Sequence, residues 1–355
     1  MDKYNIDSHK LMYHTERVND WMKNQLIYPI YLDISPSGTC NHRCKFCCMD
    51  FMKYKPIFLD QNIFEKRITE MRKLGIKSIM FAGEGEPLLN KNTPDMIVFT
   101  KKIGIDIALT TNGVLLDEKI VEKSLGSLSW IKVSCAAGTK ETHAKIHRTN
   151  LNDFDKIFKN LEYAVKIKNL NNYKVTIGMQ FLLLPDNAHE IEILIEKVKN
   201  VGLNYLVIKP YAQSRFGISD IYKNVSYDKY LHLSNNLDRF NDKNFNVIFR
   251  MDSMNKWEEK SRGYKKCLSL PFSAYIDTAG NVWGCCVYLG DKNLYYGNIY
   301  KNTFEEIWTS QERKDALNWV DTKLNLKDCQ INCRMDKINQ YLWDLKNPSE
   351  HVNFI

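Results

Sequence analysis

The sequence predicts an α/β fold: a partial (β/α)6 barrel of the TIM type, followed by a small cysteine-bearing domain. Three observations carry this. A unit of helix, glycine, short apolar strand and polar turn recurs at intervals of roughly 30 residues, from residue 30 to residue 211. Gly75, Gly104 and Gly202 each stand where a helix end calls for a left-handed residue. The polar motifs follow the strands, which is where parallel βα folds gather functional groups.

The elements follow in order. Val18 to Leu26 reads as a short helix ended by Pro29, and Ile30–Ser35 alternates as a first strand. Ile63, Phe64, Ile68 and Met71 form a helical face that leads through Gly75 to a strand at Ser78–Ala82. Ile97, Val98 and Lys101 lead through Gly104 to the strand Ile105–Thr110, and Ile120, Val121 and Leu125 to Trp130–Ser134. The clearest stripe, Phe154, Ile157, Phe158, Leu161, Ala164 and Val165, precedes a strand at Val175–Leu184. Ile191, Leu194, Ile195 and Val198 then lead through Gly202 to Tyr205–Lys209. Six strands fall short of a full barrel, and no dinucleotide-binding glycine fingerprint follows the first. After Tyr211 the rhythm stops. Gln213–Asn224 reads as linker, Asn246–Arg250 as a strand, and Phe272–Asp277 with Asn281–Gly284 as a hairpin around Asp277-Thr278-Ala279-Gly280. The divisions are an N-terminal helical extension (1–29), the barrel (30–215), linker and bridging elements (216–262) and a C-terminal domain (263–355).

Composition excludes several classes. The 355 residues are 44% hydrophobic and 26% charged, which suits a folded globular chain and not a disordered one. The N-terminus MDKYNIDSHK has no apolar signal region, and no apolar run reaches the length of about 18 residues that a membrane helix needs. A cytoplasmic setting is expected, where the ten cysteines serve as metal ligands and not as disulfides. The net charge of +8 is interleaved along the chain. It does not indicate a nucleic-acid surface, and it suits a small anionic substrate.

The strongest signal is Cys40-Asn41-His42-Arg43-Cys44-Lys45-Phe46-Cys47, after the first strand. Three thiolates on one loop can hold three irons of a [4Fe–4S] cube and leave the fourth open. The alternative is structural zinc, with His42 or Cys48 as the fourth ligand.

This motif resembles the CxxxCxΦC signature of the radical S-adenosylmethionine (SAM) superfamily, with Phe46 at the aromatic position. Gly83-Glu84-Gly85-Glu86-Pro87 resembles the family's GGEP motif, which holds the amino group of SAM. Glu84 replaces the usual glycine, so the resemblance assigns the acidic role to Glu86. Thr110-Thr111-Asn112-Gly113 ends the third strand as in relatives, Ser134 ends the fourth at a ribose-binding place, and Gln180 is a second candidate there. The resemblance covers residues 30 to about 211. It implies SAM as cofactor, with Phe46, Gly85, Glu86, Asn112, Ser134 and Gln180 around it, a flavodoxin- or ferredoxin-type reductant, and hydrogen abstraction by a 5′-deoxyadenosyl radical.

Beyond the barrel lie Cys267, Cys285, Cys286, Cys329 and Cys333. With Gly280-Asn281-Val282-Trp283-Gly284-Cys285, Gly297-Asn298-Ile299 and Phe304-Glu305-Glu306-Ile307-Trp308, this region resembles the auxiliary-cluster domains of the SPASM and twitch subfamilies. A full SPASM domain usually has more cysteines. The resemblance therefore implies one twitch-type auxiliary [4Fe–4S] cluster on Cys267, Cys285, Cys329 and Cys333, two cubes in all. A zinc knot on the same four is the alternative.

Cys48, Cys135 and Cys286 remain. A free cysteine is by default a small buried apolar side chain. The sharper reading, from resemblance to radical epimerases, is a hydrogen-atom donor, with Cys286 and Cys135 ahead of Cys48 as the catalytic candidates. His143 and His147 share a helix face and read as a solvated or capping pair. Lys209, Tyr211, Gln213 and Arg215 could meet a phosphate or carboxylate, and Asp252 and Glu258 are candidate substrate-binding carboxylates.

About 30 residues precede the first strand, with no leader-binding domain among them. The expected enzyme epimerises or dehydrogenates a small carbohydrate-like molecule: a sugar, aminocyclitol or nucleotide-sugar. The alternatives are a peptide-modifying SPASM-type maturase and a non-enzymatic zinc-binding module.

Overall fold

The computed structural model describes residues 3–354. Helix α1 (Thr15–Met22) precedes β1 (Tyr31–Ile34). The alternation of helix and strand then runs α2 (Gln61–Lys73), β2 (Ser78–Phe81), α3 (Thr93–Lys102), β3 (Asp106–Thr111), α4 (Glu118–Ser124) and β4 (Trp130–Ser134). Two helices, α5 (Lys140–His147) and α6 (Asp153–Leu170), lead to β5 (Thr176–Leu182), and α7 (Ile191–Val201) leads to β6 (Tyr205–Lys209). Next come α8 (Leu233–Leu237), β7 (Asn246–Phe249), α9 (Met251–Glu259), β8 (Ser273–Ile276), β9 (Asn281–Trp283), β10 (Tyr295–Asn298), α10 (Phe304–Thr309), α11 (Gln311–Thr322) and α12 (Asp336–Lys346).

Local chemistry sets these boundaries. Asp60, Asp117 and Thr139 cap α2, α4 and α5 by accepting from the backbone N–H three residues on. Thr303 and Glu306 form a reciprocal capping box on α10. Gly75, Gly104 and Gly202 take the expected left-handed φ of +90°, +79° and +88°.

One sheet runs through the molecule in the order β10-β9-β8-β1-β2-β3-β4-β5-β6-β7. Strands β1 to β7 are parallel neighbours in sequence order. The barrel sheet therefore has one more strand than the six expected, because β7, within the segment read as linker and bridging elements, pairs with β6. On the other edge β8 pairs parallel with β1 and turns back antiparallel into β9, so the C-terminal domain continues the barrel sheet.

The period of two divides the strands between two faces. Leu32, Ile34, Ile79, Phe81, Ile107, Leu109, Ile131, Val133, Ile177, Met179, Leu206 and Ile208 belong to the main core with the helices. Each such side chain contributes roughly 1.5–3 kcal/mol on burial. The alternate positions form the inner face, where Asp33, Lys132, Ser134, Gln180 and Lys209 stand. Tyr205, Val207 and Ile248 pack with Tyr4 and Ile6 near the N-terminal ends of β6 and β7. No described helix is long and apolar enough to cross a membrane.

Candidate functional site

The loop after β1 brings Cys40, Cys44 and Cys47 together. The last turn of α5 holds it: Arg43 N–H donates to the His147 carbonyl (3.0 Å) and Lys45 N–H to that of Ile146 (2.9 Å). Cys47 N–H donates to the Cys44 carbonyl at 3.1 Å, and His42 N–H reaches Cys40 Sγ at 3.4 Å. Burial pushes the Cys40 thiol up to about 11. Burial, then the nearness of Cys47 and Cys40, pushes Cys44 well above the ordinary thiol range. Three thiols that oppose one another's ionisation in a half-buried loop suit a cationic cluster, which takes them as thiolates.

The loops after β2 and β3 are laced to this one. Glu86, buried, accepts from Thr111 Oγ1 at 2.6 Å, Asn112 N–H at 2.7 Å and Leu88 N–H at 3.1 Å. Asn112 Nδ2 donates to Asn41 Oδ1 at 2.6 Å, inside the cysteine motif. Gly85 is needed for close approach: a Cβ there would lie 2.0 Å from the Thr39 carbonyl oxygen, beside Cys40. Ser134 and Gln180 are paired in register on β4 and β5. Phe46 stands edge-on to His147, with centroids 5.1 Å apart.

Two expectations are corrected. Cys135 lies in the main core at 0% exposure, its thiol toward the Ala137 carbonyl at 3.6 Å. Alternation turns it away from the face that carries Ser134, so it is not positioned to meet a substrate there. His143 and His147 are not a solvated pair. Both are buried and stacked at 4.3 Å, and His42 sits edge-on to each. Burial and the neighbouring imidazoles hold His143 down to about 4 and His147 well below the ordinary range. His42 Nε2 lies 3.5 Å from Asp153.

The inner face is cationic. Burial and the positive charges of Lys209, Arg334 and Arg250 push Lys132 down to about 7. Burial, with Arg250 and Arg334 nearby, takes Lys209 to about 8 although Cys48 opposes the change. Neither lysine has an ion-pair partner among the described residues. Arg334 pairs with Asp33, which also accepts from the Tyr31 hydroxyl at 2.5 Å, and Arg250 pairs with Asp7 at 3.0 Å. Of the other polar candidates, Tyr211 is tied through its hydroxyl to Gln213 at 2.8 Å, and Arg215 donates to the Tyr288 hydroxyl at 3.3 Å. Asp252 is paired with Lys337 and Glu258 accepts from Tyr227 N–H, so both carboxylates serve the scaffold.

Cys267, Cys285, Cys329 and Cys333 line one cavity, with Cys286, Asp33, Arg262, Tyr288 and Arg334. Asn339 Oδ1 accepts from Leu268 and Ser269 N–H, and Arg262 donates to the Cys329 and Gln330 carbonyls, which fixes both cysteine segments. Burial raises Cys329 to about 11. Cys333 is raised by burial and by the nearby Cys329 and Cys267. Four thiolates saturate one cube. Cys286 and Asp33 join this cavity to the barrel's inner face.

Sequence reasoning passed over Lys132, Asp33, Arg250 and Arg334. The first three left a signal, a polar residue on or just after a strand that is otherwise apolar. Glu84 stood out in sequence only as a departure from the motif; its carboxylate accepts from Thr278 N–H and Oγ1, both at 3.2 Å, and so links the β2 loop to the β8–β9 turn. Burial and the adjacent Asp277 push Glu84 up to about 7.

A parallel barrel sheet with a three-cysteine loop at its strand ends, continued into a four-cysteine cavity, offers two thiol sets of the kind that hold iron–sulfur clusters. Residues 34–198 match the family model described as the radical SAM superfamily, and residues 267–334 match SPASM, an iron–sulfur cluster-binding domain. The chain thus carries a radical SAM domain and, C-terminal to it, a SPASM domain. These domains imply a [4Fe–4S] cluster with SAM in the barrel and further iron–sulfur in the C-terminal domain. A probable GTP 3′,8-cyclase of Saccharolobus islandicus is 28% identical over 174 residues, 49% of this chain and 54% of that protein. The GTP 3′,8-cyclase of Clostridium botulinum is 26% identical over 204 residues, 54% of this chain and 60% of that one. The chain thus spans little more than half the length of these curated relatives. Among solved structures, Streptococcus suis SuiB bound to its precursor peptide SuiA superposes with TM-score 0.67 at 16% identity, over 96% of this chain and 78% of that one. Native anSMEcpe with bound AdoMet gives 0.62 at 19% identity, over 90% and 95%.

Proposed function

We propose that this radical SAM enzyme inverts one carbon of a small anionic carbohydrate-like molecule, with Cys286 as hydrogen-atom donor. The observation that carries the reading is that Cys286 lines one cavity with the auxiliary cysteines and with Asp33 and Arg334 at the inner face. When bound, the cluster on Cys40, Cys44 and Cys47 and its SAM supply a 5′-deoxyadenosyl radical that takes a hydrogen atom from the substrate carbon. Gly85, Glu86 and Asn112 shape the loop that receives SAM, Phe46 packs beside it, and Ser134 and Gln180 offer adjacent polar groups to its ribose. One auxiliary cube on Cys267, Cys285, Cys329 and Cys333 completes the cofactors. Lys132 and Lys209 hold a carboxylate or phosphate, which favours a sugar acid, sugar phosphate or nucleotide-sugar over a cationic aminocyclitol.

The carbon radical then takes the hydrogen of Cys286 from its opposite face. A C–H bond forms, the S–H bond breaks, and a thiyl radical remains. One electron from a flavodoxin- or ferredoxin-type reductant and one solvent proton restore the thiol. In a second reading, dehydrogenation, the substrate radical would give one electron to the auxiliary cluster held by Cys267, Cys285, Cys329 and Cys333 and one proton to Lys132, which burial and neighbouring positive charges bring to about 7.

The test is anaerobic reconstitution followed by dithionite, SAM and separate panels of anionic sugars, neutral sugars, aminocyclitols and short peptides. Anionic sugars alone are expected to stimulate 5′-deoxyadenosine formation. Stimulation by peptides alone would replace this reading with a peptide maturase.

A further inference from the structure

We propose that His147 is a positioning residue that sets the redox potential of the SAM cluster through an N–H···S hydrogen bond to Cys44. The proposal rests on Cys40, Cys44 and Cys47 holding that cluster.

Geometry fixes the tautomer. Ala136 N–H points at His147 Nε2 at 3.1 Å. A backbone amide can only donate, so Nε2 accepts and carries no proton. The ring proton of the neutral imidazole is then on Nδ1. The sulfur of Cys44 lies 3.3 Å from Nδ1. The Cys44 sulfur therefore receives a hydrogen bond from a buried donor of fixed orientation. The ring cannot swing away: His143 stacks on one side, and Phe46 and His42 stand edge-on. Ala136 is itself anchored, its carbonyl accepting from Asn187 Nδ2 at 2.7 Å. The other two imidazoles of the group make no such bond among the described residues: His42 Nε2 faces Asp153 at 3.5 Å, and the ring nitrogens of His143 have no hydrogen-bond partner there.

A hydrogen bond to a ligand thiolate favours the more electron-rich, reduced cluster, so it raises the potential. Backbone contacts from Arg43 and Lys45 to α5 do not involve the imidazole, so the loop keeps its support when the side chain is changed.

The chain with both clusters is tested as His147→Gln and His147→Asn, with the potential of the SAM-responsive EPR signal as readout. Gln can place an oxygen near Nε2 and still accept from Ala136, but it supplies no donor to Cys44. Asn can place its amide near Nδ1 and keep the donor. The expected result is about eight irons per chain in each, a more negative SAM-cluster potential in His147→Gln, and a potential near the original in His147→Asn. An unchanged potential in a fully loaded His147→Gln overturns the proposal. If His147→Gln does not load, the unmutated chain decides. A 15N coupling from labelled histidine and an exchangeable-proton coupling on the reduced SAM cluster uphold the hydrogen bond, and their absence overturns it. Failure of the cluster assignment would look different: no SAM-responsive signal in any variant.

Discussion

Replacing Glu84 by Gln is expected to stabilise the protein in mild alkali and to have little effect in mild acid. Glu84 is buried between the β2 loop and the β8–β9 turn, and its pKa is raised from the ordinary 4.5 to about 7 by burial and then by Asp277. The sign follows from linkage. The folded protein binds this proton more tightly than the unfolded chain does. The stability so gained is fully present below about pH 4.5 and is lost as pH rises through about 7. At 1.36 kcal/mol per pH unit, the loss is about 3 kcal/mol in full, of which about 2.5 kcal/mol falls between pH 5 and pH 8. Glutamine keeps the shape, and its amide oxygen still accepts from Thr278, but it has no proton to lose. With an unfolding entropy of about 2.1 cal/mol/K per residue, 355 residues convert that energy to about 3 °C. The assay is the thermal midpoint of Glu84→Gln and the parent at both pH values. The difference in favour of the variant should grow by about 3 °C from pH 5 to pH 8. A difference that is the same at both would refute the reasoning.

Three further outcomes follow from the site. Lys132→Met and Lys209→Met should each raise KM for an anionic sugar by roughly 10- to 100-fold, the worth of a charge-assisted hydrogen bond, with kcat changed less; for the parent, KM should climb as pH rises through about 7 to 8, where these lysines lose their protons. Gly85→Ala should lower SAM binding and the iron content of the SAM cluster, because its Cβ would meet the Thr39 carbonyl at 2.0 Å; equilibrium dialysis with SAM and an iron assay check it. Cys333→Ala should cost about four irons per chain and leave the SAM-responsive EPR signal in place.

The parts of this protein legible in the sequence are those carried by neighbours along the chain. Helix caps at Gly75, Gly104 and Gly202 depend on local φ, and the cysteine spacings depend on one loop and one hairpin. The alternation of Trp130–Ser134 already separates Ser134 from Cys135, so the placement of Cys135 in the core was readable from period alone. Other features depend on distant partners. Glu84 meets Thr278, 194 residues away, and β7 joins β6 across a polar segment. The burial of His143 and His147 follows from α5 closing on the cysteine loop, about 100 residues earlier, which no local pattern encodes.

The central claim is that a thiol of this chain returns a hydrogen atom to the substrate radical. Turnover of an accepted sugar in heavy water tests it most directly. The account expects one solvent deuterium at the inverted carbon, no other mass change, and loss of that inversion in Cys286→Ala while 5′-deoxyadenosine still forms. A product lacking two hydrogens, or deuterium incorporation undiminished in Cys286→Ala, would contradict it.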